Sequence, residues 1–274
     1  MRDQQHEHPK FHDATRTNVI FWSYADIRLP TSVVLTFFEQ SLVRDEIMNH
    51  SSLLEVPTGK LLDKFGAGNH KPGSGSAAAL MGILSGKLIV TVGYLSRKKP
   101  KYRDRHPEIE YLIKQVQDSI EPRLKELFDH DSVVFDQVIK LRIERDKAKS
   151  ETEKKRLSRQ ALNALKEATD IPIEICELCL RLLDHASAMF DLGFEPARGD
   201  SGAAISAAVA GAMSSIFVVN LNLRSFRESK WAEERRHKVD KLHTQLETAQ
   251  LDAFSRVGIL KEEDIEAIQV ELDA

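Results

Sequence analysis

Cysteine is nearly absent: the 274 residues hold two, Cys176 and Cys179. No disulfide framework is indicated, and a cytosolic location is the expected setting. Aromatic residues are also sparse, at 7%. Together with plentiful Ala, Leu, Lys and Glu, this favours helix over a β sandwich. No strong charge of either sign is present. The net charge of −3 calls for no nucleic-acid partner. The first residues, Met1-Arg2-Asp3-Gln4-Gln5-His6, lack the apolar stretch of a secretory signal. A clean hydrophobic run is missing too. Ala77–Leu95 carries Lys87 at its middle, and Ala203–Leu223 is diluted by Ser206, Ser214, Ser215, Asn220 and Asn222. A spanning helix needs about 20 predominantly apolar residues, so both read as buried helices and no membrane is expected. No P-loop, dinucleotide fingerprint or Ser/His/Asp order occurs. No cofactor is expected.

What is present is helical periodicity. Hydrophobic content of 42% with 30% charged residues is ordinary for a globular chain with a sizeable core. Residues 1–16 read as a polar tail with His6, His8 and His12, and Asn18–Ile27 as a short strand or irregular arm. Pro30 opens an amphipathic helix through Val33, Val34, Phe37, Phe38 and Leu42 to about Met48. Thr58–Phe65 forms a shorter helix stopped by Gly66 and Gly68, and a helix from about Ser76 to Arg97 follows. The basic run Arg97, Lys98, Lys99, Lys101, Arg103 and Arg105 suits the C-terminal end of that helix more readily than a polyanion. Glu108–Phe128 is helical by spacing, and Asp129-His130-Asp131-Ser132 is expected to cap a new helix. A charged turn spans Arg142–Arg159, a long helix with Pro172 inside it covers Leu157–Leu192, and Gly193–Ser201 is a break. Helices at Ala203–Leu223, Lys230–Phe254 and Leu260–Leu272 complete an all-α, multi-helix bundle.

Two of these helices are nearly uncharged and carry small residues four apart. Gly82 and Gly86 lie in the first, and Ala207, Gly211 and Ser215 in the second. Such residues share one face and let backbones approach closely. Both helices are therefore expected near the centre of the bundle or at a subunit interface. Both also start unusually, after Pro72-Gly73-Ser74-Gly75-Ser76 and after Arg198-Gly199-Asp200-Ser201-Gly202. Exposed N–H groups at a helix start attract anions and polar ligand groups. Ser and Asp are equally ordinary N-caps, and Gly is common in turns.

At these residues the chain resembles the cyclodeaminase/cyclohydrolase family. This family includes the C-terminal domain of formiminotransferase-cyclodeaminase and stand-alone methenyltetrahydrofolate cyclohydrolases. The family pattern P-x-P-G-G-G-S-A-A-A is met by His70-Lys71-Pro72-Gly73-Ser74-Gly75-Ser76-Ala77-Ala78-Ala79, and D-x-x-A-F-D by Asp131-Ser132-Val133-Val134-Phe135-Asp136. Its charged turn, its A-x-x-x-P-L helix, its S-D and its I-N-L correspond to Lys149–Arg159, Ala168–Ile173, Gly199-Asp200 and Leu221-Asn222-Leu223. The resemblance runs from about Ser51 to Ser229, leaving residues 1–50 as an N-terminal arm and extra helix before a domain of residues 51–274. Ser74 replaces the middle glycine of the triplet, and the family's N-P-N is replaced by Phe194-Glu195-Pro196.

The resemblance implies an all-helical homodimer with a folate site between helices. It further implies a reaction at a one-carbon unit held by two nitrogens of tetrahydrofolate. Either member reaction needs a proton acceptor and donor beside a tetrahedral centre, and a carboxylate to stabilise a cationic carbon. Asp131 and Asp200 are the candidates for these roles, with plain helix capping as the alternative for each. Pro72, Gly73, Ser74, Gly75, Ser76 and Asn222 are the candidates for binding the pterin. Cyclohydrolase is expected ahead of cyclodeaminase because no formiminotransferase domain is attached. A non-catalytic helical dimer binding a small molecule or protein is the competing expectation. Cys176 and Cys179 read as packed thiols, a metal site with His185 as a remote alternative, and His130 as a base or a surface residue.

Overall fold

A computed structural model describes residues 52–227 and 229–273. The expected N-terminal arm and the helix from Pro30 to Met48 lie outside the described residues. A 3-10 turn at Leu53–Glu55 precedes α1 (Thr58–Gly66) and α2 (Ser74–Arg97). A second 3-10 turn, Pro100–Arg105, leads to α3 (His106–Gln115), a π turn (Val116–Ile120) and α4 (Glu121–Lys147). Then come α5 (Glu151–Leu192), a 3-10 turn at Glu195–Ala197, α6 (Arg198–Leu223) and α7 (Lys230–Asp273). No strand occurs among the described residues, so the all-α expectation holds.

Some expected boundaries move, for identifiable reasons. No cap forms at Asp129–Ser132, because α4 runs through it unbroken. The polar residues there bond to other segments instead: Asp129 Oδ1 accepts from the Leu53 N–H at 3.0 Å, and Asp131 turns inward. The interruption falls earlier, at the π turn before Pro122, where a proline in a first helical turn loses no bond. The charged turn is short, and Ser150 Oγ caps α5 by accepting from Glu153 N–H at 3.1 Å. The helices expected at Lys230–Phe254 and Leu260–Leu272 are one. Gly258 sits inside it, and a lone glycine costs a helix only about 1 kcal/mol.

The glycines report how the helices run. Side-chain atoms of Leu124 and Cys179 crowd Gly82, Val116 and Leu182 lie beside Gly86, and Ile113 and Met189 beside Gly93. Residue numbers rise together on α2 and α5 and oppositely on α3 and α4, so α2 is parallel to α5 and antiparallel to the α3–α4 arm. Gly211 of α6 faces Cys179 Sγ, the Ala78 carbonyl and Gly82 N. The small-residue faces of α2 and α6 therefore do meet, with the Cys179 thiol filling the groove between them. Neither helix is fully enclosed. About half of each is buried, and Leu84, Met213 and Phe217 stand 54%, 40% and 63% exposed. By length and composition alone both could cross a membrane.

Because α6 follows α5 through a short connection, it runs antiparallel to α2. The start of α2 thus shares one end of the bundle with the C-terminal turn of α6. The start of α6 lies at the other end, where Phe194 N–H donates to Ser96 Oγ at 2.7 Å and Arg256 of α7 pairs with Asp191 at 2.7 Å. Packing at Gly211 predicts that Gly211→Ala, which would press a methyl on Cys179 Sγ and the Ala78 carbonyl, lowers stability by about 1–3 kcal/mol. Gly202→Ala, which meets open space, should be neutral or stabilising by up to about 1 kcal/mol. Urea denaturation of both variants checks the pair.

Candidate functional site

The segment from His70 to Ser76 is fastened to α4 at both ends. At its far end the Ser76 N–H donates to Asp131 Oδ2 at 2.9 Å, with Ser76 Oγ 3.3 Å from the same oxygen and 2.9 Å from the Phe128 carbonyl. At its near end His70 Nε2 lies 2.9 Å from Asp136 Oδ1, while Lys140 Nζ reaches Asp136 Oδ2 at 3.0 Å. The Lys71–Pro72 peptide is cis. Gly73 is the N-cap of α2 and has no side chain to serve as one, so Asp131 caps this helix from a neighbouring one. Helix α2 accordingly starts two residues earlier than its sequence suggests, and Ser74, Gly75 and Ser76 form its first turn.

Glycine is obligatory at position 75. A methyl group there would overlap the Asp131 carboxyl group, so that carboxyl approaches the helix backbone itself. Pro72, Gly75 and Ser76 are buried, Gly73 is half-buried, and Ser74 is exposed. The Gly-Ser-Gly departure therefore adds its hydroxymethyl group on the solvent side, clear of Asp131. Asp131 is only 6% exposed. Burial pushes its pKa up to about 6, against the opposing pull of the Ser76 N–H and hydroxyl and of His130. Asp136 is the reverse case: burial raises it, but His70 and Lys140 outweigh this and hold it at about 2. One helix thus presents a readily protonated carboxyl and a firmly ionised one, five residues apart.

Asn222 is at the same end of the bundle. Its Nδ2 donates to the Ala168 carbonyl at 2.9 Å. That carbonyl sits four residues before Pro172, which has no N–H to offer it. Asn222 therefore completes the α5 hydrogen-bond ladder across the helix interface, which gives it a packing role that the sequence reading did not foresee. Asp200 is elsewhere. It is the third residue of α6, half-buried, and Gly199 and Gly202 beside it face open space. Gly211 is level with Gly82, and counting back along the two antiparallel helices at 1.5 Å per residue separates Ser76 from Asp200 by about 25 Å along the axis. Within a single chain the two glycine-rich starts therefore lie at opposite ends of the bundle.

The remaining candidates resolve plainly. His130 is at the surface, 3.0 Å from Glu167. Cys176 and Cys179 are buried free thiols, and burial pushes Cys176 up to about 12 and Cys179 further in the same direction. No cluster of three metal-binding side chains occurs among the described residues. In the basic run, Arg97 pairs with Glu110, Lys101 with Glu195, and Arg105 donates to the Leu192 carbonyl, as its place at a helix end suggested. The His70–Asp136 pair escaped the sequence reading, since 66 residues separate its members and nothing in their spacing links them.

These features define a class: an α-helical bundle with a glycine-started central helix capped in trans by a buried carboxylate. The sequence profile of the formiminotransferase-cyclodeaminase family matches residues 57–241, and the chain belongs to this family. It is 30% identical over 179 residues to a methenyltetrahydrofolate cyclohydrolase of Methylorubrum extorquens, an alignment covering 64% of this chain and 82% of that protein. The crystal structure of a formiminotetrahydrofolate cyclodeaminase from Thermotoga maritima superposes with a TM-score of 0.65 at 20% identity, covering 76% of this chain and 99% of that one. This second likeness establishes the fold.

Two expected outcomes follow from the geometry. Asp131 binds its proton more tightly folded than unfolded, so the wild type should lose stability relative to Asp131→Asn as pH rises from about 4 through 6. The difference is on the order of 3 kcal/mol above that window, and urea midpoints across the pH range measure it. Asn222→Ala should cost about 1–3 kcal/mol by orphaning the Ala168 carbonyl. The same change should cost much less in a Pro172→Ala background, where an N–H returns to that carbonyl, and a double-mutant cycle tests this.

Proposed function

We propose that this protein is a folate-dependent one-carbon enzyme, and that it hydrolyses the methenyl bridge of a tetrahydrofolate derivative. The observation that carries the reading is Asp131, a buried carboxyl with a pKa of about 6 pressed against a glycine of a helix start. Near neutral pH it is mostly ionised, yet it accepts a proton readily, as a general base requires. Its negative charge also favours a cationic carbon held nearby. Water would lose a proton to Asp131 as its oxygen bonds to the methenyl carbon. The same proton would then pass to the ring nitrogen as the carbon–nitrogen bond breaks, while the hydroxyl proton leaves to solvent as the carbon–oxygen double bond forms, so that the formyl product and one proton are released. The cyclohydrolase reading is preferred over the cyclodeaminase one because the relative at 30% identity bears that name. No cofactor is required, and the cytosol is the setting we assign.

A second copy of the chain completes the site in this reading. The exposed apolar residues Leu84, Met213 and Phe217 lie on the outer faces of α2 and α6, which suits a homodimer with its two-fold axis across these helices. Such an axis reverses the helix directions, so that the partner's Asp200 arrives at the end where Asp131 lies. Ser201, next to Asp200, is 1% exposed and its hydroxyl has no partner among the described residues. This leaves a polar group at the start of α6 for a ligand to engage.

Loss of methenyltetrahydrofolate absorbance measures the reaction. The wild type should exceed the spontaneous rate, and Asp131→Asn, with its helicity intact by circular dichroism, should fall by about a hundredfold or more. Mixed and re-associated Asp131→Asn and Asp200→Asn chains should recover about a quarter of wild-type activity, since half the dimers hold one intact site. A wild type no faster than buffer, with no folate binding by calorimetry, sinks the enzyme reading. Failure to recover on mixing sinks the shared site alone.

A further inference from the structure

The start of α6 carries a cation where a helix least favours one. Arg198 is the first residue of this helix, at the positive end of its dipole. Asp200 follows in the same turn, half-buried, and its carboxylate makes no hydrogen bond or ion pair among the described residues. The Arg198 side chain is only 18% exposed. Its guanidinium lies over the Phe190 ring, 5.1 Å from the centroid, and Nη1 stands 2.7 Å from both carboxylate oxygens of Glu263 on α7. Glu195 is also near, but Lys101 engages it at 3.0 Å. That leaves Glu263 to offset Arg198.

The course of α7 toward this contact is set by charge. Beyond the buried Ala253, the residues up to Glu263 are exposed except Arg256, which pairs with Asp191 at 2.7 Å. Phe254 and Val257 stand in solvent on the same stretch. Apolar burial therefore does not hold the segment against the start of α6; two ion pairs do. Exposed pairs of this kind add little stability, so the Glu263 contact calls for another role. Glu263 also lies beyond the residues 57–241 that the family profile matches, so family membership alone gives it none.

We infer that Glu263 is a positioning residue for the shared site: by engaging Arg198 it removes a bare cation from beside Asp200. The inference rests on the folate reading above, in which the start of α6 meets a substrate with a cationic carbon. Residues two apart on a helix do not face each other, so Arg198 and Asp200 do not pair. The effect is one of field: an unneutralised guanidinium in the same turn would oppose the charge of Asp200 and repel the substrate. Glu263 cancels that field while touching neither Asp200 nor the reacting atoms.

The test follows loss of methenyltetrahydrofolate absorbance at low and high salt, with helicity checked by circular dichroism. Glu263→Gln should lower kcat/KM about tenfold at low salt and less at high salt. The double variant Arg198→Gln/Glu263→Gln should return to within about twofold of the wild type, because the bare cation is gone. A merely structural tie predicts the reverse, since the double variant lacks the tie as well. A double variant no better than Glu263→Gln, or a Glu263→Gln protein as active as the wild type, overturns the inference and leaves the folate reading intact. A wild type that does not turn the compound over removes both.

Discussion

The bond from the Ser76 N–H to Asp131 Oδ2 is the constraint on which this end of the molecule depends. A helix start needs its free N–H groups satisfied, and a buried carboxyl needs donors. Here each meets the need of the other, across two helices. The exchange has conditions. Residue 75 must be glycine to admit the carboxyl, residue 73 has no side chain to compete as a cap, and α4 must continue through Asp131 without a break. The Asp136–His70 contact then holds the opposite end of the same loop. Position and acidity come from one arrangement: the burial that fixes the loop is also what raises the carboxyl toward neutrality.

Much of this architecture was legible in the sequence. The helical spacing of the apolar residues, the paucity of aromatics and the stripes of small residues led to an all-helical bundle with α2 and α6 near its centre or at a subunit interface. The glycine-rich start at Pro72–Ser76 stood out only beside the second one at Gly199–Gly202; either by itself reads as ordinary capping. What remained hidden was long-range. Nothing local says that Asp131 caps a helix 55 residues earlier, so Asp129–Ser132 read as a cap for its own helix. Nor does anything local say that Asn222 would serve the carbonyl orphaned by Pro172. The direction of α6 was equally invisible. Two similar helix starts suggest one shared cleft, and only the antiparallel course of α6 against α2 sends them to opposite ends.

That antiparallel course ties the fold to assembly. With Asp131 at one end and Asp200 at the other, a single chain cannot bring both carboxylates to one small molecule. In the proposed homodimer, a second copy packed on the apolar outer faces of α2 and α6 would supply the missing carboxylate. The small residues between the helices and the larger exposed ones outside divide the labour. Gly82 and Gly211 hold α2 against α6 within the chain, which leaves Leu84, Met213 and Phe217 for an external surface.

The sealed thiols give the molecule a property unrelated to catalysis. Cys179 lies between Gly82 of α2 and Gly211 of α6, and both cysteines are held far from the thiolate form. A thiol reagent meets neither until these helices separate. The rate at which the chain is alkylated therefore counts openings of its centre, and a ligand or second subunit that steadies the bundle slows that clock without touching a cysteine.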